Sequence, residues 1–240
     1  MGLIQRLHQR LRPARLRHLE RHVLEVRDLA CLKQAFAWDA EPLLEGAHLH
    51  AYAYPEDLNQ RRLRDAEALG AACRNARARV LVEIGTGEGY ATALMARNAP
   101  DGIVHTVNIP PEEIAAGGRL VTGSPERAAI GSHYRACGLT NIVQILANTL
   151  TWEPAIGVID VAFIDGCHDA DFVFNDTRKL LNRCRSGSLV LWHDFAPSLR
   201  RTYGWIDEVC RGVDRLYAAR LLRGPVYHLR DSWVGLYRVP

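Results

Sequence analysis

Two acidic clusters hold most of the side chains that could do chemistry. The stretch "AFIDGCHDADF", residues 162–172, places Asp165, Cys167, His168, Asp169 and Asp171 behind an apolar run, and "LWHDF" at 191–195 adds His193 and Asp194. Carboxylates together with an imidazole can hold a divalent ion. Oxygen ligands suit Mg²⁺ or Ca²⁺, and a histidine shifts the preference towards Mn²⁺, Fe²⁺ or Zn²⁺. An imidazole of ordinary pKa near about 6.5 can also take a hydroxyl proton at neutral pH, and a metal on the same oxygen would ease that step. The competing reading of His168 is a cap on the helix that begins near Asp169. Asp169 and Asp171 read as first-turn acids complementing that helix's dipole. Asp176 and Lys179, a turn further on, are expected to face solvent. Cys167 has no histidine placed as its base, which disfavours nucleophilic catalysis.

A third motif is "EIGTGEGY", with Glu83, Gly85, Thr86, Gly87 and Gly89. Glycines let a backbone turn tightly and approach a ligand closely, and the N-terminus of a following helix offers unpaired N–H groups. The G-x-G-x-x-G fingerprint of dinucleotide binding needs its third glycine where Tyr90 stands, so the spacing argues against NAD.

The elements that must position these groups alternate. "ARVLVEIG", "GIVHTVNI", "NIVQILAN", "IDVAFID" and "GSLVLWHDF" read as short apolar strands, with helical patterns between them in "YATALMARNA", "SPERAAIGSHYRACG" and "DFVFNDTRKLLNRC". A long helix, "YGWIDEVCRGVDRLYAARLL", follows the fifth strand. Strands nearly continuous in apolar residues argue for a parallel sheet covered on both faces. "GPVYHLRDSWVGLYRVP" closes the chain as an antiparallel hairpin. The expected fold is an α/β, doubly wound, Rossmann-like sheet of seven strands, mostly parallel, with that C-terminal hairpin and an N-terminal helical arm. In such a sheet ligands bind beyond the carboxyl ends of the strands, where the strand order reverses. That crevice would receive the glycine loop and both acidic clusters.

The arm spans residues 1–55 and the Rossmann-like domain 56–240. Leu3, Leu7 and Leu11, then Leu16, Leu19, Val23 and Leu24, recur at helical spacing around Pro13. "YPEDLNQRRLRDAEALGAACRNA" reads as a further helix, with Leu58, Leu63, Ala66 and Leu69 on one side. Residues 109–125 are a Gly/Pro-rich connection of the length usually kept for a lid or substrate loop. His48 and His50 lie beside Tyr52 and Tyr54 and read as a surface turn, with a substrate wall as the alternative.

"VEIGTGEGY", "FIDGCHDADFVFNDTRKLL", "GSLVLWHDF" and the terminal hairpin together resemble class I S-adenosylmethionine-dependent methyltransferases. The branch they are most similar to contains macrocin-type sugar O-methyltransferases and cephalosporin-hydroxylase-like proteins. The resemblance covers roughly residues 56–238. It implies S-adenosylmethionine as cofactor, with Glu83, Gly85, Thr86, Gly87 and Gly89 around its methionine and ribose portions, and Asp165 at the same crevice. It puts Asn108 where an acid usually meets the ribose hydroxyls, and Asn148 near the adenine. Asn148 reads equally as a turn residue at the strand exit. The resemblance further implies His168 as general base with Asp165 beside it, acting on a small-molecule hydroxyl, and a divalent metal, Mg²⁺ or Mn²⁺, on Asp165, Asp194 and the position held by His193. The absence of an N/D-P-P-Y tetrapeptide after the fourth strand disfavours methylation of base amino groups.

Composition bounds the remaining alternatives. The chain has 240 residues, 48% of them hydrophobic, enough for one sizeable core. No apolar run approaches the length of a membrane span, and no uninterrupted apolar segment near the N-terminus suits a secretory signal. Six scattered cysteines without a C-x-x-C pair read as reduced thiols in a cytoplasmic protein. Net charge is only +3, yet residues 1–27 hold seven arginines against two glutamates. A basic arm could pair two copies of the chain or touch RNA or anionic lipid, although no interleaved aromatics support base stacking. The other function classes left open are an NAD(P)-dependent oxidoreductase and a non-catalytic, methyltransferase-like module that binds RNA or another partner.

Overall fold

The computed structural model describes residues 15–44, 56–116 and 126–240. The helical stripe before residue 15, the His48–Tyr54 segment and residues 117–125 of the expected substrate loop lie outside the described residues.

Eight strands form one sheet among the described residues: β1 (Val23–Val26), β2 (Val80–Ile84), β3 (Ile103–Asn108), β4 (Ile142–Leu146), β5 (Ile159–Ile164), β6 (Cys184–Trp192), β7 (Val226–Leu229) and β8 (Gly235–Arg238). Their order is β1-β7-β8-β6-β5-β2-β3-β4. Only β8 runs against its neighbours, antiparallel to both β6 and β7. The last strand therefore inserts between β6 and β7 instead of closing the edge. The order reverses at β2, which pairs with β3 on one side and β5 on the other.

The helices are α1 (Leu29–Phe36), α2 (Glu56–Asn75), α3 (Tyr90–Asn98), α4 (Ser132–Ala136), α5 (Ala170–Leu181) and α6 (Gly204–Ala218). Period-two alternation on the central strands divides the core into two layers. Val82, Ile84, Ala162, Ile164, Val190 and Trp192 point to the face covered by α5 and α6, with Val173, Leu180, Ile206 and Val213 against them. Leu81, Val161, Phe163, Leu189 and Leu191 point to the opposite face, covered by α1, α2 and α3 through Leu32, Phe36, Leu69, Leu94 and Met95. Both faces are covered, which explains the nearly unbroken apolar runs in these strands.

Two expectations change. The helical stripe expected from Leu16 to Leu24 is a short 3-10 turn, Leu19–Arg21, followed by β1, which pairs in parallel with β7 and adds an eighth strand to the expected seven. Asp214 Oδ1 accepts the backbone N–H groups of His18 and Leu19 at 2.8 Å each, and Leu19 is fully buried. Anchoring from distant α6 thus overrides a local periodicity that also suits a helix. Asp176 and Lys179 do not face solvent, being 2% and 5% exposed. The Lys179 ammonium donates to the carbonyls of Thr149, Leu150 and Trp152 at 2.8, 3.1 and 2.6 Å, clasping the turn after β4. Burial pushes the neighbouring Asp176 carboxyl up to about 7, against hydrogen bonds from Thr149 and Asn175 and the Lys179 charge.

Candidate functional site

Register brings the expected site residues together. Ile84, Ile164 and Trp192 are level across β2, β5 and β6, so Gly85, Asp165 and His193 leave the sheet side by side at its carboxyl edge. The ladder continues one residue further, with Asp165 N donating to Ile84 O at 2.8 Å and His193 N to Ile164 O at 3.0 Å.

Gly85 lies against the neighbouring strand exit. Its φ is +99°, and a Cβ there would stand 2.1 Å from the Asp165 carbonyl oxygen. Only a glycine allows both the conformation and the approach. Gly87, at φ +51°, has no atom within 4 Å of where its Cβ would be, so the crown of the loop borders open space. That space, beside the N-terminus of α3, fits a cofactor held by backbone groups.

Glu83 sits beneath the loop, fully buried on the face covered by α3. Thr92 and Thr106 hydroxyls both donate to its Oε2 at 2.5 Å, while Oε1 has no partner. Burial pushes this carboxyl up to about 8; the two threonine hydrogen bonds oppose the shift and the Asp165 charge adds to it. Thr86, also buried, shares a 2.6 Å hydrogen bond with Thr106 and accepts from Gln144 Nε2 at 2.9 Å. Asn108 Oδ1 accepts the Gly87 N–H at 3.0 Å, which braces the loop from the end of β3. Asn148 Oδ1 accepts from Leu150 N at 3.0 Å, so its side chain caps the turn after β4.

The two acidic clusters form one network. His168 Nε2 lies 2.8 Å from Asp194 Oδ2, while buried His168 Nδ1 has no partner. Asp194 adopts φ +52°, a left-handed conformation that aspartate tolerates better than most residues. This turn aims its carboxylate back at His168, and Trp205 Nε1 donates to its other oxygen at 3.1 Å. His193 Nδ1 stands 3.0 Å from Asp165 Oδ1 and 3.3 Å from Asp194 Oδ2, close enough for ion pairing but off line for a hydrogen bond to either. Burial disfavours charge on His193, yet Asp165 and Asp194 outweigh it and hold the imidazole well above its ordinary 6.5. Burial likewise works against the Asp194 carboxylate, and His193 and His168 overcome it, holding Asp194 well below the usual range. For His168 burial lowers and Asp194 raises, with a net upward shift.

One ligand atom each from Asp165, His168 and Asp194 lie within 4.8 Å of one another. Two carboxylates and an imidazole at that spacing fit a divalent cation. The trio differs from the expected one, with His168 in the place of His193, which instead spans the two acids by ion pairing. Asp169 starts α5 without a side-chain cap hydrogen bond, and Asp171 pairs with Arg215 at 2.5 Å.

The sequence reading missed two contributors. Asp65 on α2 is 2% exposed, and its Oδ2 lies 3.4 Å from His193 Nε2. The signal was an acid at the same helical spacing as Ala68, Leu69 and Ala72. The other is an aromatic group, Tyr203, Trp205 and Trp233, with ring centroids 4.8 and 5.6 Å from Tyr203 to the two tryptophans. Nothing in the spacing of 203–205 and 233 foretells their meeting.

Residues 82–195 match the family model described as a methyltransferase domain. This stretch is similar to methyltransferase domains. A search of curated proteins finds no match to the chain. Among solved structures, the O-methyltransferase NovP is similar at TM-score 0.56 and 14% identity, over 74% of this chain and 79% of that one. Cofactor-bound Rv0187 from MTB is similar at TM-score 0.51 and 17% identity, over 87% of each chain. At such identities the likeness is one of fold. The matched stretch ends at Phe195, so Asp65, Tyr203, Trp205 and Trp233 lie outside it. Among the described residues, no helix is long and apolar enough to cross a membrane.

Proposed function

We propose that the chain is an S-adenosylmethionine-dependent O-methyltransferase acting on a hydroxyl of a small molecule, a sugar or glycosylated natural product being the acceptor class suggested by the macrocin-like motifs. The observation that carries this reading is the His168–Asp194 pair. With the Nε2 proton shared with Asp194, Nδ1 keeps its lone pair, buried and unpartnered on the turn that follows β5. When bound, S-adenosylmethionine supplies a methyl group on a sulfonium centre that leaves by in-line displacement. The protein's task is to position the acceptor oxygen and take its proton. His168 Nδ1 receives that proton, and Asp194 stabilises the resulting imidazolium while fixing the ring's orientation. Gly85, Thr86, Gly87 and Gly89 shape the cofactor cradle, which Asn108 braces. All six cysteines are free thiols, in keeping with a reducing cytoplasm.

A second reading is favoured by the convergence of Asp165, His168 and Asp194. There the three residues would hold Mg²⁺ or Mn²⁺, which would supply Lewis acidity to an acceptor oxygen. The two readings exclude each other at His168. An imidazole that gives Nε2 to a metal carries its proton on Nδ1 and is no base.

Calorimetry with S-adenosylhomocysteine tests the cofactor, and no binding at high micromolar concentration sinks the proposal. His168→Ala is expected to bind S-adenosylhomocysteine within about twofold of the wild type and to lose about 100-fold or more in turnover. Turnover that survives EDTA favours the metal-free base. Turnover restored only by Mg²⁺ or Mn²⁺ favours the second reading.

A further inference from the structure

Asp65, like the His193 ring it meets, is a part of this network that the chemistry above does not use. It lies on α2, in front of the methyltransferase stretch, and is as buried as the core leucines around it. Its Oδ1 accepts the backbone N–H of Trp233 at 2.5 Å, and its Oδ2 faces His193 Nε2 at 3.4 Å. Among the described residues no lysine or arginine pairs with it. A carboxyl group buried without such a partner is costly unless its hydrogen bonds are satisfied, and here both oxygens have a partner on another element.

His193 is consequently approached from opposite edges. Asp65 meets Nε2, while Asp165 and Asp194 meet Nδ1 at 3.0 and 3.3 Å. An imidazole is a rigid plate, so contacts at both nitrogens fix its rotation where contacts at one would leave it free to swing. The Nδ1 edge touches the same Asp194 oxygen, Oδ2, that lies 2.8 Å from His168 Nε2.

We propose that Asp65 is a positioning residue for the methyl transfer, holding the His193 ring so that its Nδ1 edge keeps Asp194 Oδ2 directed at His168. The proposal rests on the reading of His168 as the base. Asp65 also joins the backbone of Trp233, in the turn between β7 and β8, to the same ring. Through it, α2 and the C-terminal hairpin set the geometry of a base that belongs to neither. The reach is longer than pairwise contact, running from Asp65 to His193 to Asp194 to His168. Outer-shell partners of this kind fix the orientation of the ring they contact.

The test uses the full chain labelled with ¹⁵N in its histidine rings. Asp65→Asn retains an oxygen to accept the Trp233 N–H and withdraws the carboxyl group from His193, which separates positioning from a merely structural cap. The expected result is that the His168 Nε2 proton exchanges with solvent about tenfold faster, the order for losing one hydrogen-bonded anchor, and that the His168 ¹⁵N shifts move. S-Adenosylhomocysteine binding should stay within about twofold of the wild type. His193→Gln should reproduce the change at His168, and adding Asp65→Asn to it should change nothing more, because the two residues act in series. A lowered unfolding midpoint with unchanged His168 signals in Asp65→Asn overturns the proposal. So do unchanged His168 signals in His193→Gln, which serves by itself if the Asp65 variant does not fold. Failure of the methyltransferase reading would show separately, as no binding of S-adenosylhomocysteine by the wild type.

Discussion

Glu83→Gln should stabilise the protein near neutral pH and leave it unchanged in mild acid. The Glu83 carboxyl is fully buried and raised from its ordinary 4.5 to about 8, chiefly by burial. Below pH 4.5 both folded and unfolded chains hold the proton, so the group contributes no pH dependence. Between 4.5 and 8 the unfolded chain releases the proton while the folded chain keeps it, so stability falls as pH rises. Each pH unit in that window costs about 1.4 kcal/mol. At pH 7 the accumulated loss is about 3 kcal/mol, and above pH 8 it grows no further. Glutamine mimics the protonated acid: its oxygen can accept from both Thr92 and Thr106, and its amide takes the place of the partnerless Oε1. For a chain of this size about 3 kcal/mol corresponds to roughly 6–12 °C in unfolding midpoint. Thermal unfolding of wild type and Glu83→Gln in matched buffers at pH 4.5 and pH 7 should show midpoints that coincide at the lower pH and separate at the higher. A difference of the same size at both pH values would refute the reasoning, since it would trace to packing or hydrogen bonding instead of proton release.

Gly85→Ala should lower the unfolding midpoint and weaken S-adenosylhomocysteine binding at least about tenfold, because its Cβ meets the Asp165 carbonyl at 2.1 Å in a left-handed conformation. Gly87→Ala meets no neighbouring atom, so its stability cost should stay near 1–2 kcal/mol; a loss of cofactor affinity beyond that would locate the ligand at the loop's crown. Lys179→Met should destabilise by about 3 kcal/mol by leaving the carbonyls of Thr149, Leu150 and Trp152 without their common donor. A urea unfolding midpoint unchanged from wild type would count against that clasp.

Elements whose patterning is local were legible in the sequence. The unbroken apolar runs of β2, β5 and β6 had to be strands covered on both faces, and each ended in a polar or glycine-rich turn. Parallel register then carried Gly85, Asp165 and His193 to one edge without further information. The pairing of His168 with Asp194 was foreseeable as a neighbourhood but not as a bond, because it depends on the left-handed turn at Asp194. Val23 and Leu24 were misread as helix because four residues fit either period, and the choice was made by β7 and α6, about two hundred residues away.

What the sequence determined by itself was the class of sheet, the glycine loop and the groups at the strand ends. These follow from side-chain periodicity and turn chemistry within a few residues. Only the tertiary structure decided the electrostatics. Burial turned Glu83 into a proton-holding acid, drew the Lys179 cation inward to three carbonyls and set His193 between Asp65, Asp165 and Asp194. Desolvation and charge pairing depend on which distant elements close over a group, and that information is spread across the whole chain.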